Sequence, residues 1–287
     1  MNNILITGAE GQLGSELRAI AFRFTQYNLF FTNRLTLDIT DYNAVKAFTE
    51  TNKINAIINC AAYTSVDSAE SQSKLADAVN HLAVANLAKI AKQKNIKFIH
   101  VSTDYVFDGN SQTPYNENDT PNPQSVYGQT KLDGELAIQK INPANSIIIR
   151  TSWLYSKIGN NFAKKIIAIA KTKDNLNVVS DQIGSPTNAV DLAVAIFTIL
   201  PKIKNNSVEI FHYSNDGLCS WYDFALEIFR IKNIKTLVNA VKTSEFPTLA
   251  KRPAYSVLDK SKIKTRFDLE ITPWKASLSF AFESIKI

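Results

Sequence analysis

Short apolar runs alternate with helix-like stretches from the start of the chain. The predicted strands are "NILIT", "LFFTN", "AIINCAAY", "KFIHVSTDYVF" and "SIIIRTSWLYS", and the segments between them are predicted helices. Strands without polar alternation, separated by helices, are typical of a parallel sheet that is covered on both faces. Right-handed crossovers then produce a doubly wound sheet with a ligand crevice at the carboxyl ends of its strands. The sequence therefore predicts an α/β fold of this kind.

The rhythm of strands and helices loosens after residue 150. A predicted helix, "NNFAKKIIAIAKTKD", is followed by a strand, a turn and a helix within "LNVVSDQIGSPTNAVDLAVAIFTIL". The remaining chain is too long for one sheet layer, and we expect a smaller, partly interleaved C-terminal domain. Residues 1–150 would form the sheet domain, with parts of 183–215 returning to it, and residues 151–287 would mainly form the second domain.

The composition argues against a nucleic-acid-binding protein. The 287 residues are 45% hydrophobic and 20% charged, which is enough apolar sequence for a substantial core. The formal net charge is +6 and the pI about 9.1, but the basic residues are dispersed and form no long run. We therefore expect no nucleic-acid partner.

No segment resembles a signal peptide or a membrane span. The start, "MNNILITGAEG", turns polar too early for a signal peptide, and no stretch is apolar for long enough to cross a bilayer. Cys60 and Cys219 lie far apart among small or apolar neighbours, which is typical of buried thiols in a reducing compartment. The histidines, expected to be structural, lack the spacing of metal ligands: His81, His100 and His212. We expect a cytoplasmic protein without a membrane partner or a resident metal.

Three glycines lie between the first predicted strand and the first predicted helix. In "ITGAEGQLG" they are Gly8, Gly11 and Gly14, a G-x-x-G-x-x-G spacing that differs by one residue from the usual dinucleotide fingerprint. Glycines permit a tight turn and a close approach of backbone N–H groups to a phosphate, which the positive end of the helix also attracts. The first domain is therefore predicted to be a Rossmann-like dinucleotide-binding domain.

The end of the second predicted strand favours NADPH over NADH. An NAD-selective site usually has a carboxylate there, but this chain has Asn33 and Arg34 in "FFTNR". An arginine at this place accommodates a 2′-phosphate. Two alternatives stay open: NADH could also be accepted, and Arg34 could simply point into solvent.

The stretch "SVYGQTK" contains a tyrosine and a lysine four residues apart. On a helix, Tyr127 and Lys131 share one face. Tyrosine alone titrates near pH ~10, and a nearby ammonium would lower that pKa and make Tyr127 a general acid. Thr103 lies at the end of the strand in "HVSTDYVF", where its hydroxyl could hold a substrate carbonyl. The alternative for any such pair is an unremarkable surface contact.

These residues resemble those of the extended short-chain dehydrogenase/reductases. The motifs "GQLG", "LDIT", "AAYTSVDSAE", "STDYVFDG", "VYGQTKLDGE", "RTSWLY", "GNNFAKKI", "DQIGSPT", "CSWYDFA" and "RPAYSVLD" together resemble the dTDP-4-dehydrorhamnose reductase family, in order and over nearly the whole chain. The resemblance implies NADPH- or NADH-dependent reduction of the 4-keto group of dTDP-4-dehydro-L-rhamnose. This reaction completes the synthesis of dTDP-L-rhamnose, a precursor of cell-surface polysaccharides.

The resemblance also implies residue roles. Thr103 would polarise the C4 carbonyl, Tyr127 would protonate its oxygen, and Lys131 would tune Tyr127 and hold the nicotinamide ribose. The other implied cofactor contacts are Gly8, Gly11, Gln12, Leu13, Gly14, Arg34, Asp38, Ile39, Ala61, Ala62 and Tyr63. The other implied substrate contacts are Thr64, Ser65, Val66, Asp104, Trp153, Asn161, Gln182, Pro186 and Arg252. For Trp153 the alternative is core packing, whereas the Arg252 guanidinium suits a diphosphate.

Three other functions remain open, one of which is a generic NAD-binding sensor that would bind the cofactor without turnover. A nucleotide-sugar epimerase or dehydratase would need further acid or base groups beside the sugar, and "STDYVF" offers only Asp104. A regulatory subunit of methionine adenosyltransferase, a non-enzymatic binding protein, would not need an intact Thr103, Tyr127 and Lys131. The sequence leaves open whether the chain forms a homodimer, which sugar and base it takes, and whether a divalent metal assists.

Overall fold

A six-stranded, wholly parallel sheet lies at the centre of the chain. The structure is a computed structural model that describes residues 2–283. The strands of the sheet are β1 (Asn2–Thr7), β2 (Tyr27–Phe31), β3 (Ala56–Asn59), β4 (Lys97–Thr103), β5 (Ser146–Thr151) and β10 (Glu209–Tyr213). Their order across the sheet is β10-β5-β4-β3-β1-β2, with every neighbouring pair parallel. The predicted doubly wound α/β fold is confirmed.

Helices lie between these strands and after the last of them. They are α1 (Gln12–Ala19), α2 (Tyr42–Thr51), α3 (Val66–Ser71), α4 (Ser73–Asp77), α5 (Ala83–Lys94), α6 (Val126–Ile141), α7 (Phe162–Ala170), α8 (Ala189–Ile199), α9 (Trp221–Lys232), α10 (Ser261–Phe267) and α11 (Trp274–Glu283). A π-helical turn, Ala78–Leu82, joins α4 to α5, so the single long helix predicted there is interrupted. The predicted strand at 97–107 ends at Thr103 and continues as a 3₁₀ turn, Asp104–Val106.

Apolar side chains cover both faces of the sheet. Because successive residues of a strand point to opposite faces, Ile4 and Ile6 pack with α1 and α8 on one face. Leu5 lies in a separate cluster with residues of α5 on the other face. This arrangement explains the uninterrupted apolar runs in the sequence, since both faces of each strand must be apolar.

A third hydrophobic cluster forms mainly from residues after 150. Its largest members come from α7, α9 and α11 and include Phe224, Trp274 and Phe282. Small strand pairs accompany it: β6 (Leu154–Tyr155) with β9 (Thr187–Asn188), β7 (Asn175–Val179) with β12 (Leu237–Val241), and β8 (Ile183–Gly184) with β11 (Cys219–Ser220). Meanwhile α8 and β10 lie with the central sheet. No helix within residues 2–283 is long and apolar enough to span a bilayer.

Candidate active site

The chemically important residues follow the ends of three adjacent strands. Thr7 of β1, Asn59 of β3 and Thr103 of β4 are the last residues of neighbouring parallel strands. The carboxyl ends of such strands open onto one edge of the sheet, where α/β proteins bind ligands. The glycine loop after β1 and the start of α6 therefore face the same crevice region.

The glycine loop needs its first and third glycines for steric reasons. Gly8 has φ +66°, and a Cβ there would lie 2.6 Å from the backbone nitrogen of Ala61. A Cβ on Gly14 would lie 2.4 Å from the carbonyl oxygen of Gly8. Such distances are far below van der Waals contact, so any side chain would displace the loop. The turn is thus folded tightly against the loop that follows β3.

The amino end of α1 is open towards this loop. Gly11 is its N-cap residue, is exposed, and supplies no side-chain cap, so the first N–H groups of α1 are available to an anion. The Leu13 side chain is buried in the core, so only its backbone can face a phosphate. The Gln12 side chain accepts a hydrogen bond from Asn161 Nδ2 at 2.9 Å. The amino end of α1 therefore presents backbone N–H groups that no side chain caps.

Arg34 lies in the loop after β2, with its side chain 80% exposed. Its Nε is 3.6 Å from the carboxylate of Asp38. Asp38 also accepts hydrogen bonds from the backbone and hydroxyl of Thr40, and these bonds lower the pKa of Asp38. Ile39 is buried. The Arg34 guanidinium is thus exposed beyond the end of β2.

The loop after β3 forms one wall of the region. Ala61, Ala62 and Tyr63 are half-buried there, and the Tyr63 backbone exchanges two hydrogen bonds with the side chain of Asn80. Asn80 lies in the π-helical turn. Its backbone carbonyl oxygen would be 2.2 Å from a Cβ on Gly134 of α6. The close approach at Gly134 thus packs α6 against the helix that holds this loop.

Tyr127 and Lys131 occupy the first turns of α6, as predicted. Ser125 caps the helix by accepting a hydrogen bond from the Gly128 backbone. Lys131 is 1% exposed, and its Nζ lies 2.7 Å from the carbonyl oxygen of Val101 in β4. Thr103, also buried, donates its hydroxyl to Asp104 at 3.0 Å. The structure therefore brings Thr103, Tyr127 and Lys131 together at the junction of β4 and α6.

The predicted effect of Lys131 on Tyr127 is wrong. Burial raises the pKa of Tyr127 above its ordinary value, and the Thr103 hydroxyl offsets this only in part. The Lys131 side-chain nitrogen instead contacts the carbonyl oxygen of Val101, at 2.7 Å, and His100 Nε2, at 3.1 Å. Burial also lowers the pKa of Lys131 to about 8, against the opposing influence of the Glu135 carboxylate. Tyr127 is accordingly held in its protonated form, which is the form that can donate a proton.

Asp104 is a second buried acid beside these groups. Burial raises its pKa to about 6, although hydrogen bonds from Ser256 and Thr103 act in the opposite direction. Asp104 is 2% exposed. It can therefore change its protonation state near neutral pH within reach of the Thr103 hydroxyl.

Trp153 is partly buried and packs against the hydrophobic cluster formed mainly by residues after 150. It has φ +47°, a conformation that costs free energy for a bulky side chain. One ring face stacks on Trp221, with centroids 3.6 Å apart and planes 7° from parallel, and the ring edge fits against Gly184. A sugar could therefore contact only the remaining face. Thr64 and Ser65 are exposed, and Val66 begins α3.

The predicted diphosphate contacts are spread over several segments. Asn161 caps α7 and bonds to Gln12 beside the glycine loop. Gln182 is buried and donates to the Thr243 hydroxyl at 3.1 Å, and Pro186 is buried. Arg252 donates to the Tyr105 hydroxyl at 3.2 Å and to Asp67 at 2.9 Å. Only Arg252 among these presents a charged group.

Sequence reasoning missed several neighbours of the site. Asp67 and Tyr105 hold Arg252, the Tyr105 ring meets the Tyr127 ring edge-on at 5.5 Å, and His100 contacts Lys131. Asp67 and Tyr105 lie inside the quoted motifs "AAYTSVDSAE" and "STDYVFDG". Their place in these motifs could have marked Asp67 and Tyr105 as candidates. Their contacts with Arg252 could not be predicted, because the fold brings these distant segments together.

One group within residues 2–283 resembles a set of metal ligands. Ligand atoms of Asp77, His81 and Asp133 lie within 4.8 Å of one another. His81 Nδ1 already pairs with Asp77 Oδ1 at 2.9 Å. The sequence showed no ligand spacing at His81 because Asp133 comes from a different helix.

The chain is similar to known reductases over its whole length. A family model described as the RmlD substrate binding domain matches residues 1–287. The dTDP-4-dehydrorhamnose reductase of Aggregatibacter actinomycetemcomitans is 42% identical over 287 residues, covering 97% of each chain.

Two solved structures extend this similarity to three dimensions. A dTDP-4-dehydrorhamnose reductase from Clostridium acetobutylicum has a TM-score of 0.92 at 44% identity, covering 98% of each chain. A dTDP-4-dehydrorhamnose reductase from Bacillus anthracis, solved in complex with NADP, has a TM-score of 0.94 at 36% identity, covering 99% of this chain and 100% of the other.

Proposed function

The chain belongs to the RmlD substrate binding domain family, and from this membership we propose that it is an NADPH-dependent dTDP-4-dehydrorhamnose reductase. The reaction would convert dTDP-4-dehydro-L-rhamnose to dTDP-L-rhamnose. The observation that carries the proposal is the meeting of Thr103, Tyr127 and Lys131 at the carboxyl edge of the sheet. The glycine loop opens onto the same edge.

The cofactor fits the residues at the amino end of α1. Gly8 and Gly14 leave no room for side chains, and the uncapped N–H groups after Gly11 can bind a pyrophosphate. NADPH, when bound, supplies the hydride that is added to sugar C4. Arg34 would bind the 2′-phosphate as an exposed cation.

Each reacting residue has a role that its environment supports. The Thr103 hydroxyl would donate a hydrogen bond to the C4 carbonyl oxygen, turning from Asp104, to which it now donates. Tyr127, protonated because burial raises its pKa, would donate its proton to the developing alkoxide. Lys131, anchored on Val101, would hold the nicotinamide ribose.

The substrate would lie between the two parts of the chain. We propose that residues 1–150, with parts of 183–215, bind the dinucleotide and that residues 151–287 mainly bind the sugar nucleotide. The Arg252 guanidinium would bind the diphosphate in a bidentate manner. The free face of Trp153 would border the sugar, together with the loop 64–66.

The test is oxidation of NADPH in the presence of dTDP-4-dehydro-L-rhamnose, with the product identified as dTDP-L-rhamnose by NMR. A preparation of Tyr127→Phe, purified in the same way, controls for a contaminating reductase, and we expect its turnover to fall by about 10²- to 10⁴-fold. Tight NADPH binding without turnover by the wild type would overturn the proposal. It would favour instead a non-catalytic binding protein such as the regulatory subunit of methionine adenosyltransferase.

A further inference from the structure

A chain of buried hydrogen bonds connects Asn59, at the carboxyl end of β3, to Lys131 through His100. Asn59, at the end of β3, contacts His100 of β4, since Asn59 Nδ2 lies 3.0 Å from His100 Nδ1. His100 Nε2 lies in turn 3.1 Å from Lys131 Nζ. Asn59 and His100 are fully buried, so solvent cannot replace these bonds.

The orientation of the Asn59 side chain is fixed by two donors. The Thr7 hydroxyl donates to Asn59 Oδ1 at 2.6 Å, and the Ala61 backbone N–H donates to the same oxygen at 3.2 Å. The oxygen must therefore face Thr7 and Ala61, because a backbone N–H cannot accept a hydrogen bond. The amide nitrogen then faces His100 and donates to Nδ1.

This orientation determines the tautomer of His100. A neutral imidazole carries one N–H and one lone pair, and Nδ1 uses its lone pair to accept from Asn59. Burial and the nearby Lys131 both lower the pKa of His100, so the ring is neutral. Its proton consequently lies on Nε2 and points at Lys131 Nζ. An amine can accept that proton only through the lone pair of its uncharged form.

We propose that His100 is a positioning residue for the reductase reaction: it holds Lys131 through an Nε2–H donor whose tautomer Asn59 imposes, and it thereby favours the uncharged amine in the free enzyme. The proposal rests on the proposed function. Val101 accepts one N–H of the amine from the same strand. Lys131 is thus held between two adjacent residues of β4, in a position set by the sheet.

The other groups that face Lys131 do not explain this arrangement. Cys60 approaches from the loop after β3, and burial raises its pKa to about 12, so the thiol is neutral. Glu135, on the same helix as Lys131 and Tyr127, pairs instead with Arg150, at 2.6 Å. Glu135 favours the charged lysine, whereas the pKa of Lys131 is lowered to about 8. A hydrogen bond donated by His100 Nε2–H to the uncharged amine would also lower the pKa of Lys131.

The direct test is the tautomer of His100, measured by ¹⁵N NMR on histidine-labelled protein at a pH well above the Lys131 pKa of about 8, where the uncharged amine predominates. Only three histidines are present, so His100→Gln assigns the signal by difference. We expect the proton on Nε2, and in Asn59→Leu we expect this preference to weaken. A proton on Nδ1 in the wild type would overturn the proposal. This readout does not depend on turnover, so it is independent of whether the reductase function is correct.

The kinetic test compares His100→Leu with His100→Gln and His212→Leu. His212 is the matched control because it is equally buried and bonded, to Arg150 and Tyr115, but does not contact Lys131. We expect His100→Leu to lower kcat/KM by about tenfold or more and to move the alkaline limb of the pH profile upward, because the uncharged amine loses its donor. His100→Gln should recover much of the activity. A loss in His100→Leu with an unchanged pH profile, matching that of His212→Leu, would show a purely structural role and overturn the proposal.

Discussion

Arg252 Nη2 lies 2.9 Å from Asp67 Oδ2, and this ion pair joins the first turn of α3 to a segment far along the chain. The Arg252 side chain is 29% exposed and also donates to the Tyr105 hydroxyl. The guanidinium is therefore oriented before any substrate binds. An oriented cation loses less conformational entropy on binding a phosphate than a free one.

Replacement of Arg252 should weaken substrate binding with little effect on the chemical step. For Arg252→Ala we expect KM for the sugar nucleotide to rise about tenfold or more, since hydrogen bonds to charged groups contribute about 1.5–3 kcal/mol. Arg252→Lys should recover only part of the loss, because an ammonium cannot bind bidentately. Steady-state kinetics at saturating NADPH measure this. Arg230→Ala, at an exposed arginine on α9, is the control, and an equal change in both variants would contradict the assignment.

Alanine substitution should destabilise the protein much more at Gly14 than at Gly11. At Gly14 a methyl group would meet backbone atoms of Gly8 and Ala9, so we expect Gly14→Ala to lower the free energy of unfolding by about 1–3 kcal/mol. At Gly11, with φ −71°, the nearest atom is 3.2 Å away, and the change should stay within about 1 kcal/mol.

The two variants should separate again in cofactor binding. Gly11 is exposed at the open end of α1, where a methyl group would occupy space needed by a phosphate. We therefore expect a raised NADPH Kd for Gly11→Ala at nearly unchanged stability, measured by calorimetric titration and urea unfolding. Unchanged NADPH affinity in Gly11→Ala would argue against a phosphate at this loop.

The sequence was informative wherever a single segment determines the structure. The apolar runs around Ile4 and Ile148 predicted buried parallel strands, because a strand covered on both faces cannot alternate. The spacing of Tyr127 and Lys131 predicted a shared helix face, which α6 provides. A tight turn at the glycines was predictable because the atoms that a Cβ on Gly14 would meet, in Gly8 and Ala9, belong to the same turn. The constraint on Gly8 comes from Ala61 in another loop and was not predictable from the local sequence.

Contacts between segments could not be predicted in this way. The pairing of His100 with Lys131 depends on the packing of α6 against β4, and the same packing buries Tyr127. The pKa of Tyr127 was therefore predicted in the wrong direction, since the charge of Lys131 was considered but the loss of solvent was not. The π-helical turn at Ala78–Leu82 likewise leaves no periodic signal that differs from an α-helix over so few residues.

Asp104 should make stability depend on pH. Its pKa in the folded chain is about 6, above the ordinary value of 3.8. A raised pKa contributes stability that is complete below the unfolded value and is lost as the pH rises through the folded value. Asp104→Asn removes the buried charge, so at about pH 8 it should be more stable than the wild type, by up to about 3 kcal/mol.

Urea unfolding of Asp104→Asn at about pH 8 and about pH 5 tests this sign. The advantage should shrink at the lower pH, where the wild-type carboxyl is largely protonated. Asp108→Asn is the control from the same motif, because hydrogen bonds from the Asn110 backbone and from Tyr115 lower the pKa of Asp108. It should be no more stable than the wild type at the higher pH. An advantage of Asp104→Asn that is equal at both pH values would contradict the buried-charge explanation.

Arg34 should distinguish NADPH from NADH. Its side chain is 80% exposed, and the ion pair that holds it within residues 2–283 is a 3.6 Å contact with Asp38, which solvent screens strongly. Arg34→Ala should therefore leave stability within about 0.5 kcal/mol of the wild type. We expect KM for NADPH to rise several-fold while KM for NADH stays nearly constant, because only NADPH carries the 2′-phosphate.

Asp38→Asn is the control for the Arg34 prediction, because it frees the guanidinium and should leave the preference for NADPH intact. Equal KM changes for both cofactors in Arg34→Ala would place Arg34 outside the ribose site and leave the cofactor preference to other residues.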